Sequence, residues 1–500
     1  MLFTALFCFF GANSLAQTRI AVVSDIHVMS PDLFEPGAES LEAWTTYYAS
    51  QRKMLEQSAD LFDQFVDKML SSEPNVLLVT GDLTKDGEVF SHDYVCNGLK
   101  KLKEAGIKVL VIPGNHDIGG NGNNAFFYAD GSVGEISAFN EADFAEFYVD
   151  YGYSGSTVDP KGSLSYVAEP IEGLVVLAID SHTASVSAET LAWLCSKATE
   201  ARNAGKQVIA MMHHPLFPHI TGAELFISTY TVNDYETVRD ALIGAGVNVI
   251  LTGHFHTSDI AKDWNGDDPV NPIYDINTGS LISYPCDYRM LTLSADKRTI
   301  QVETASLTPT GWTAEECKTW LHDRVKAIVT KQIQEKIKAK LGAFAATYFL
   351  KQYSEQIASL AEFAATVYIL HAEGDEPQSP QKGTYSTLYS QAENYNNLAT
   401  TFGYNVDFSS LTHSILDDVS NYDTYKADQT DDRLLFIPPL MKGDVNGDGE
   451  VTITDAALVM DYIKSGNMPA NFVLAAAEVD GKDGITTGDV VAILDIILSQ

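Results

Sequence analysis

The sequence predicts a layered α/β domain over residues 17–310, followed by a helical segment and a small module of two loop-and-helix units. Three observations carry this expectation. Short apolar runs alternate with stretches whose apolar residues recur at helical spacing. Five of the runs end abruptly in carboxylate, amide or imidazole side chains. Beyond residue 440 an aspartate-rich loop followed by an apolar helix occurs twice.

The first strand is Arg19-Ile-Ala-Val-Val-Ser-Asp25. A helix is expected over 50–70, with Met54, Leu55, Ala59, Leu61, Phe62, Phe65, Val66 and Met69 on its apolar side. Residues 75–82 form a second strand, 96–105 a short helix and 108–112 a third strand that runs into Gly114-Asn115-His116-Asp117. A fourth strand (173–180) precedes a helix over 187–204, and a fifth (207–214) precedes a helix over 234–245. The sixth is 247–254, and 274–279, 288–294 and 299–303 read as closing antiparallel strands. Continuously apolar strands are those covered on both faces, and open α/β sheets place chemistry just past the carboxyl ends of their strands.

After about residue 310 the pattern becomes helical. Val325, Ile328, Val329, Ile333, Ile337 and Leu341 recur between lysines, and a second helical stretch spans 344–371. Residues 374–383 read as a hinge, and 384–440 show no period and suggest no function.

Net charge is −35, which argues against a nucleic-acid or anionic-membrane binder held by general electrostatics. An anionic substrate stays compatible, because a bound dication reverses the local potential. The uncharged residues 1–16 end in Ser14-Leu15-Ala16 and read as a signal peptide cut before Gln17. Export follows, to a periplasmic, cell-surface or extracellular location, and no later run is apolar enough to span a membrane. Cys96, Cys195, Cys286 and Cys317 have no metal-site spacing and are expected as free thiols.

The strand ends supply Asp25-Ile-His27, Gly81-Asp82, Gly114-Asn115-His116-Asp117, His213-His214-Pro215 and Gly253-His254-Phe-His256. They are expected to converge on one sheet edge. Imidazole mixed with carboxylate suits zinc, iron, manganese or nickel, whereas calcium takes oxygen alone. Seven donors exceed the needs of one ion, and two ions bridged by a shared carboxylate fit the count. Taken singly, His27 or His213 reads as a structural histidine; five strand ends together read as a site. His214 is expected beside the site, His92, His182 and His219 as ordinary loop residues, and Asp180 as a hydrogen-bonding residue.

These five blocks, in this order over roughly residues 19–303, resemble the calcineurin-like metallophosphoesterases. The resemblance implies an α/β/β/α sandwich hydrolysing phosphomonoesters or phosphodiesters. It implies that Asp25, His27 and His256 hold one transition-metal ion (Fe, Mn or Zn), that Asn115, His213 and His254 hold the second, and that Asp82 bridges them. A phosphoester's own charge repels nucleophiles. Two dications neutralise it and activate a bridging hydroxide for in-line attack. His116 would protonate the leaving group, with Asp117 orienting its ring. Asp86-Gly87-Glu88 and His213-His214-Pro215 are most similar to the cyclic-nucleotide and glycerophosphodiester branch. The flanking loops 119–130 and 216–234 carry Phe126, Phe127, Tyr128, Phe217, Phe226 and Tyr230, to line a leaving-group pocket or to cover the sheet edge.

The stretch 443–455 places Asp444, Asn446, Asp448 and Asp455, with the Glu450 carbonyl, at the spacing of a calcium loop. The second unit offers Glu478, Asp480 and Asp489 but has Lys482 and Asp483 at its fifth and sixth places. The pair resembles a type I dockerin, which implies Ca2+ and a cohesin-type scaffold partner. The expected division is 1–16 signal peptide, 17–310 catalytic domain, 311–440 helical extension and 441–500 dockerin-like domain. The competing class is a non-catalytic metal-containing protein that docks through its tail.

Overall fold

The computed structural model describes residues 17–119, 122–220, 229–263, 272–294, 300–374, 382–401, 407–415, 434–437, 442–446, 450–466, 472, 474–480, 482 and 484–499. The expected signal peptide lies outside them. Strand β1 (Thr18–Val23) is followed by helices α1 (Glu42–Ala49) and α2 (Ser58–Ser72), then β2 (Val76–Val79), α3 (Val89–Glu104) and β3 (Lys108–Val111). A hairpin, β4 (Ala125–Phe127) with β5 (Val133–Glu135), and helix α4 (Glu141–Phe147) come next. The chain then runs through β6 (Thr157–Val158), β7 (Tyr166–Ile171), β8 (Leu174–Ile179), α5 (Ala188–Asn203) and β9 (Gln207–Met212). After α6 (Tyr235–Gly244) come β10 (Val249–Thr252), β11 (Asp259–Asp263), β12 (Ile273–Asn277), β13 (Asp287–Leu293) and β14 (Ile300–Ser306).

These strands make two sheets. One has the order β15-β14-β13-β1-β2-β3, its outer strand β15 (Leu434–Ile437) arriving from far along the chain; the other is β11-β12-β10-β9-β8-β7-β6. Strands β1 to β3 are mutually parallel, as are β8, β9, β10 and β12. The period-2 alternation of a strand explains why the runs are continuously apolar. Ile20 and Val22 of β1 point between the sheets, against Ile209, Met211, Val249 and Leu251. Their neighbours Ala21 and Val23 join a core with Phe62, Phe65 and Leu99 of α2 and α3. Across the molecule, Val208, Ala210 and Met212 pack with Leu194 and Leu242 of α5 and α6. The result is the expected α/β/β/α sandwich.

Several boundaries differ from expectation. Helix α2 begins at Ser58, because residues 51–54 are tied instead to the loop after β12, Met54 N–H donating to the Ile282 carbonyl (2.7 Å). Helix α1 was not foreseen; it buries Trp44 and Tyr48, four residues apart. Strand β12 is parallel to β10 and antiparallel only to β11, so it extends the second sheet rather than closing the domain.

The extension holds α7 (Ala314–Leu341), α8 (Ala343–Gln352), α9 (Ser354–Glu373), α10 (Lys382–Thr401) and α11 (Phe408–Ile415). The stretch expected as one helix is divided at Tyr353 into α8 and α9. Leu321 and Val325 of α7 pack on Ala365 and Ile369 of α9, with Tyr284 of the α/β domain against them. The tail contains α12 (Ile453–Ser465), α13 (Leu474–Ala477) and α14 (Thr487–Ser499) around Val445, Val459, Phe472 and Ile493. The four described cysteines are free. Among the described residues no helix is long and apolar enough to cross a membrane.

A methyl group at Gly98 of α3 would lie 2.5 Å from Phe62 Cε1 and 3.1 Å from Val66 Cγ2 on α2. In an open helix Gly→Ala stabilises by about 1 kcal/mol, whereas overpacking a tight core costs about 1–3 kcal/mol. Gly98→Ala is therefore expected to lower the urea midpoint of unfolding, by about 1 kcal/mol or more in stability. A raised midpoint would show that the α2–α3 contact yields freely.

Candidate metal centre

The five blocks meet, but at the carboxyl ends of two facing sheets rather than along one sheet edge. β1, β2 and β3 bring Asp25, His27, Asp82 and Asn115 from one side. β9 and β10 bring His213, His254 and His256 from the other. Asp25, His27, Asp82 and His256 form one group of potential ligand atoms within 4.8 Å of one another, and Asp82, His213 and His254 form a second.

The two groups share a single oxygen. Asp82 Oδ2 lies 3.4 Å from His27 Nε2 and 3.3 Å from His213 Nε2, while its Oδ1 accepts the His116 backbone N–H (2.8 Å). In the first group His27 Nε2 is 3.1 Å from His256 Nε2, and Asp25 Oδ1 is 3.2 Å from His256 Nε2. In the second, His213 Nε2 is 3.3 Å from His254 Nδ1 and 3.1 Å from Asn115 Oδ1.

The far nitrogens of three imidazoles face backbone carbonyls: His27 Nδ1 that of Thr84 (3.3 Å), His213 Nδ1 that of Thr80 (2.9 Å) and His254 Nε2 that of Thr229 (3.0 Å). Donation there turns the near nitrogen's lone pair into the cluster, as in metal-ligating histidines. Asp25 Oδ2 accepts from Ser24 Oγ (2.6 Å) and the His254 N–H (2.8 Å), leaving the buried Oδ1 without a hydrogen-bond partner. Acceptors facing acceptors at 3.1–3.4 Å fit a shared cation, since ligands about 2.0–2.2 Å from one ion stand about that far apart.

Backbone geometry brings them there. Asp25, His27, Asp82, His254 and His256 are five of the nine non-glycine residues with positive φ among those described, between 42° and 72°. Such conformations are disfavoured, and they accumulate where a site requires them. These left-handed residues lie just past the ends of β1, β2 and β10 and carry five of the seven donors. Close approach also requires glycine: a methyl at Gly114 would overlap Asp82 Oδ1, and one at Gly253 would sit 2.6 Å from Asp25 Oδ2.

His116 stands beside this cluster, its ring 4.9 Å from that of His27, but belongs to neither donor group. Its expected partner was Asp117, and here the structure differs. Asp117 is buried and turned back on the chain, accepting from Leu83 N–H (3.1 Å), Thr84 N–H (2.9 Å), Thr84 Oγ (2.9 Å) and Gly114 N–H (2.9 Å). It locks the β2 and β3 loops together. His116 Nδ1 is instead 2.7 Å from Asp86 Oδ1 and 2.9 Å from the Lys85 carbonyl. Lys85 Nζ donates to the other Asp86 oxygen (2.5 Å) and to Glu88 (2.9 Å), so Asp86 is fixed from both sides.

Other expectations are resolved individually. His214 is buried beside His254, ring centroids 4.3 Å apart. His92 lies on α3 rather than in a loop, wholly buried, and contacts Tyr148 and the Asp117 carbonyl. His219 is buried between Asp259 and Asp275. Asp180 accepts from Leu164 and His182. Phe127 stacks on Phe34, and Phe217 is buried, so these cover the fold rather than a pocket; Phe226 lies outside the described residues. Tyr230 meets Phe255, which joins Phe363, Val367 and Leu370 of α9 in one apolar cluster. The extension thus packs directly on the residue between His254 and His256.

In the tail, Asp455 accepts from Val445, Asn446 and Thr452 N–H, and Asp489 accepts from Val479, Asp480 and Thr486 N–H. The two loops therefore close by the same hydrogen-bond scheme. Asp444 is buried and Glu450 exposed, while Asp448 and Asp483 lie outside the described residues. In the second loop Lys482 Nζ stands 3.4 Å from Asp480, and Gly484 N–H donates to Glu478.

Residues 18–258 match the calcineurin-like phosphoesterase family model, and residues 442–493 match that of the dockerin type I domain. The chain carries a calcineurin-like phosphoesterase domain and a type I dockerin domain. Among solved structures it is similar to a dimetal phosphatase from Danio rerio (14% identity, TM-score 0.42, 58% of this chain and 96% of that one). It is also similar to a purple acid phosphatase from yellow lupin seeds (10%, 0.37, 58% and 52%) and to the phosphopantetheinyl hydrolase of Mycobacterium tuberculosis (13%, 0.26, 53% and 90%). No curated protein matches the chain.

Burial pushes His27, His92 and His254 down to about 3. Against burial, Asp82 raises His213 to about 9, and Asp275 and Asp259 raise His219 to about 10. For the lowered histidines, stability is present above the unfolded value near 6.5 and is lost as pH falls. For the raised pair it is complete below that value and is lost as pH rises through 9 to 10. Burial lifts Asp117 to about 6, which opposes the acid trend, but burial also lowers His214 and His256, so the lowered histidines outnumber it. The chelator-treated protein should therefore be most stable near pH 6.5, falling on both sides in urea titrations. Stability that is flat from pH 5 to 9 would contradict these environments.

Proposed function

We propose that the protein is a dinuclear metal-dependent phosphoesterase in which Asp25, His27 and His256 hold one ion, Asn115, His213 and His254 the other, and Asp82 bridges them. The observation that carries this reading is the one Asp82 oxygen lying 3.3–3.4 Å from a buried imidazole nitrogen of each group. When bound, two ions of the Fe, Mn or Zn type supply Lewis acidity at the phosphoryl oxygens and a water acidic enough to attack at neutral pH.

The chain's own residues do the rest. Asp86, held down to about 2 against its burial chiefly by the His116 hydrogen bond and the Lys85 charge, stays ionised. Asp86 and the Lys85 carbonyl face His116 Nδ1, so a doubly protonated ring would give its Nε2 proton to the departing oxygen and keep the one on Nδ1. Asp117, Ser24 and the three threonine carbonyls keep the donors aimed inward.

The dockerin domain supports docking to a cohesin-type partner, with Ca2+ held in the first loop by Asp444, Asn446, Asp448, Asp455 and the Glu450 carbonyl. In the second loop Glu478, Asp480 and Asp489 remain as donors, with Lys482 beside them. Attachment outside the cell, after export through residues 1–16, completes the proposal. The domain limits proposed are 17–310, 311–440 and 441–500.

Metal analysis together with hydrolysis of a mono-aryl and a bis-aryl phosphate tests it. Two transition ions per chain and turnover of at least one ester are expected; two ions without turnover would favour a binding protein. His116→Ala should keep both ions and lose about 10²–10⁴-fold in kcat, most for poor leaving groups. Loss of metal in that variant would contradict the division of roles. Asp86→Asn should displace the pH–kcat profile while leaving metal content unchanged, and an unshifted profile would deny the pairing.

A further inference from the structure

Arg52 and Lys53 stand apart from the other cations near the centre. They lie in the irregular segment between α1 and α2, fixed to the metal-centre strand through the loop after β12. Ser283 Oγ donates to the Arg52 carbonyl (3.3 Å) and Met54 N–H to the Ile282 carbonyl (2.7 Å). In the same loop Ser280 Oγ donates to the Asp25 carbonyl (2.7 Å). Lys53 Nζ reaches to 3.4 Å from His27 Nδ1. The Arg52 guanidinium rests 5.6 Å from the ring centroid of Tyr368, on α9 of the extension. Both side chains are half-buried, and both charges act on His256.

Among the described residues neither has a carboxylate within 4.0 Å, although Lys85, Arg239 and Lys318 in this acidic chain are each paired. A half-buried cation with no carboxylate in contact is costly unless an anion completes it, and for Lys53 the more distant Asp86, Asp82 and Asp25 offset only part of that cost. Two of them side by side, on a segment tied to Asp25, form a place for negative charge next to the metal-ligand cluster.

We infer that Arg52 and Lys53 form an anion subsite for a second ionised oxygen on the substrate, so that the preferred ester carries two negative charges rather than the single charge of a simple diester. This rests on the phosphoesterase reading and names its substrate class. Two sources share the chemistry: the dianionic phosphoryl group of a phosphomonoester, or an acidic group on the leaving side of a diester. Tyr368 gives the extension a part in the site, holding the guanidinium against an aromatic face.

The test uses the full-length metal-loaded chain, with Arg52→Met and Lys53→Met compared with the charge-preserving Arg52→Lys and Lys53→Arg. Calorimetry of orthophosphate against dimethyl phosphate is read first, because it needs no turnover. Each charge removed should weaken orthophosphate about tenfold more than dimethyl phosphate, the scale of one charge-assisted hydrogen bond. KM is then compared for a mono-aryl phosphate, a bis-aryl phosphate and an aryl diester bearing a carboxylate. A rise confined mainly to the mono-aryl ester identifies the phosphoryl dianion; one confined mainly to the carboxylated diester identifies the leaving-side acid. The charge-preserving variants should retain most of the discrimination. Equal weakening of both phosphates, or none, overturns the subsite. Orthophosphate binding that depends on these charges in a chain inert to every ester would leave the subsite standing and remove the phosphoesterase reading.

Discussion

A carboxylate oxygen buried among imidazole lone pairs is stable only if positive charge lies among them, and Asp82 Oδ2 is such an oxygen. Without a metal, His213 supplies that charge by taking a proton, its pKa raised against burial chiefly by Asp82. An ion would supply it more fully and would displace that proton, so metal uptake and proton release are linked at this histidine. The surrounding structure keeps the oxygen where it is: the His116 N–H holds Oδ1, and Gly114 leaves no side chain in the way.

The sandwich exists to bring two strand-end sets face to face. Its inter-sheet core of Ile20, Val22, Ile209, Met211, Val249 and Leu251 fixes the spacing of β1 and β2 against β9 and β10. A dense apolar interior transmits little slack, so donors from separate sheets keep their separations. The strain of five left-handed residues is held by this scaffold, by the hydrogen bonds that Ser24 and Ser280 donate and by those that Asp117 accepts. Phe255, between two of the strained histidines, is buried against α9, which makes the extension part of the same support.

Much of this was legible in the sequence, for physical reasons. A strand covered on both faces must be continuously apolar, so Asp25, Asp82, Asn115, His213 and His254 stood out where those runs stop. The division into two sheets was less legible, because a strand's apolar run does not say which partner it pairs with; β12 and the distant β15 show this. The partner of His116 was misread for a similar reason. Asp117 is adjacent in sequence, but the turn sends its carboxylate back to the amides of Leu83, Thr84 and Gly114. Asp86, thirty positions away, arrives because Lys85 and the turn after Asp82 deliver it. Arg52 and Lys53 were hidden inside a stretch read as helix, since Met54 and Leu55 continue its apolar spacing.

The tail repeats the lesson on a smaller scale. Spacing revealed the two loops, and Asp455 and Asp489 close them identically even though Lys482 has replaced an oxygen donor in the second. The tail and the metal centre are nevertheless proposed to take different ions, and the central claim concerns the pair at Asp82. Anomalous diffraction from crystals grown with manganese measures it directly. Two peaks about 3.5–4 Å apart, one on each side of Asp82 Oδ2, are the predicted result. A single peak, or peaks away from Asp82, would contradict it.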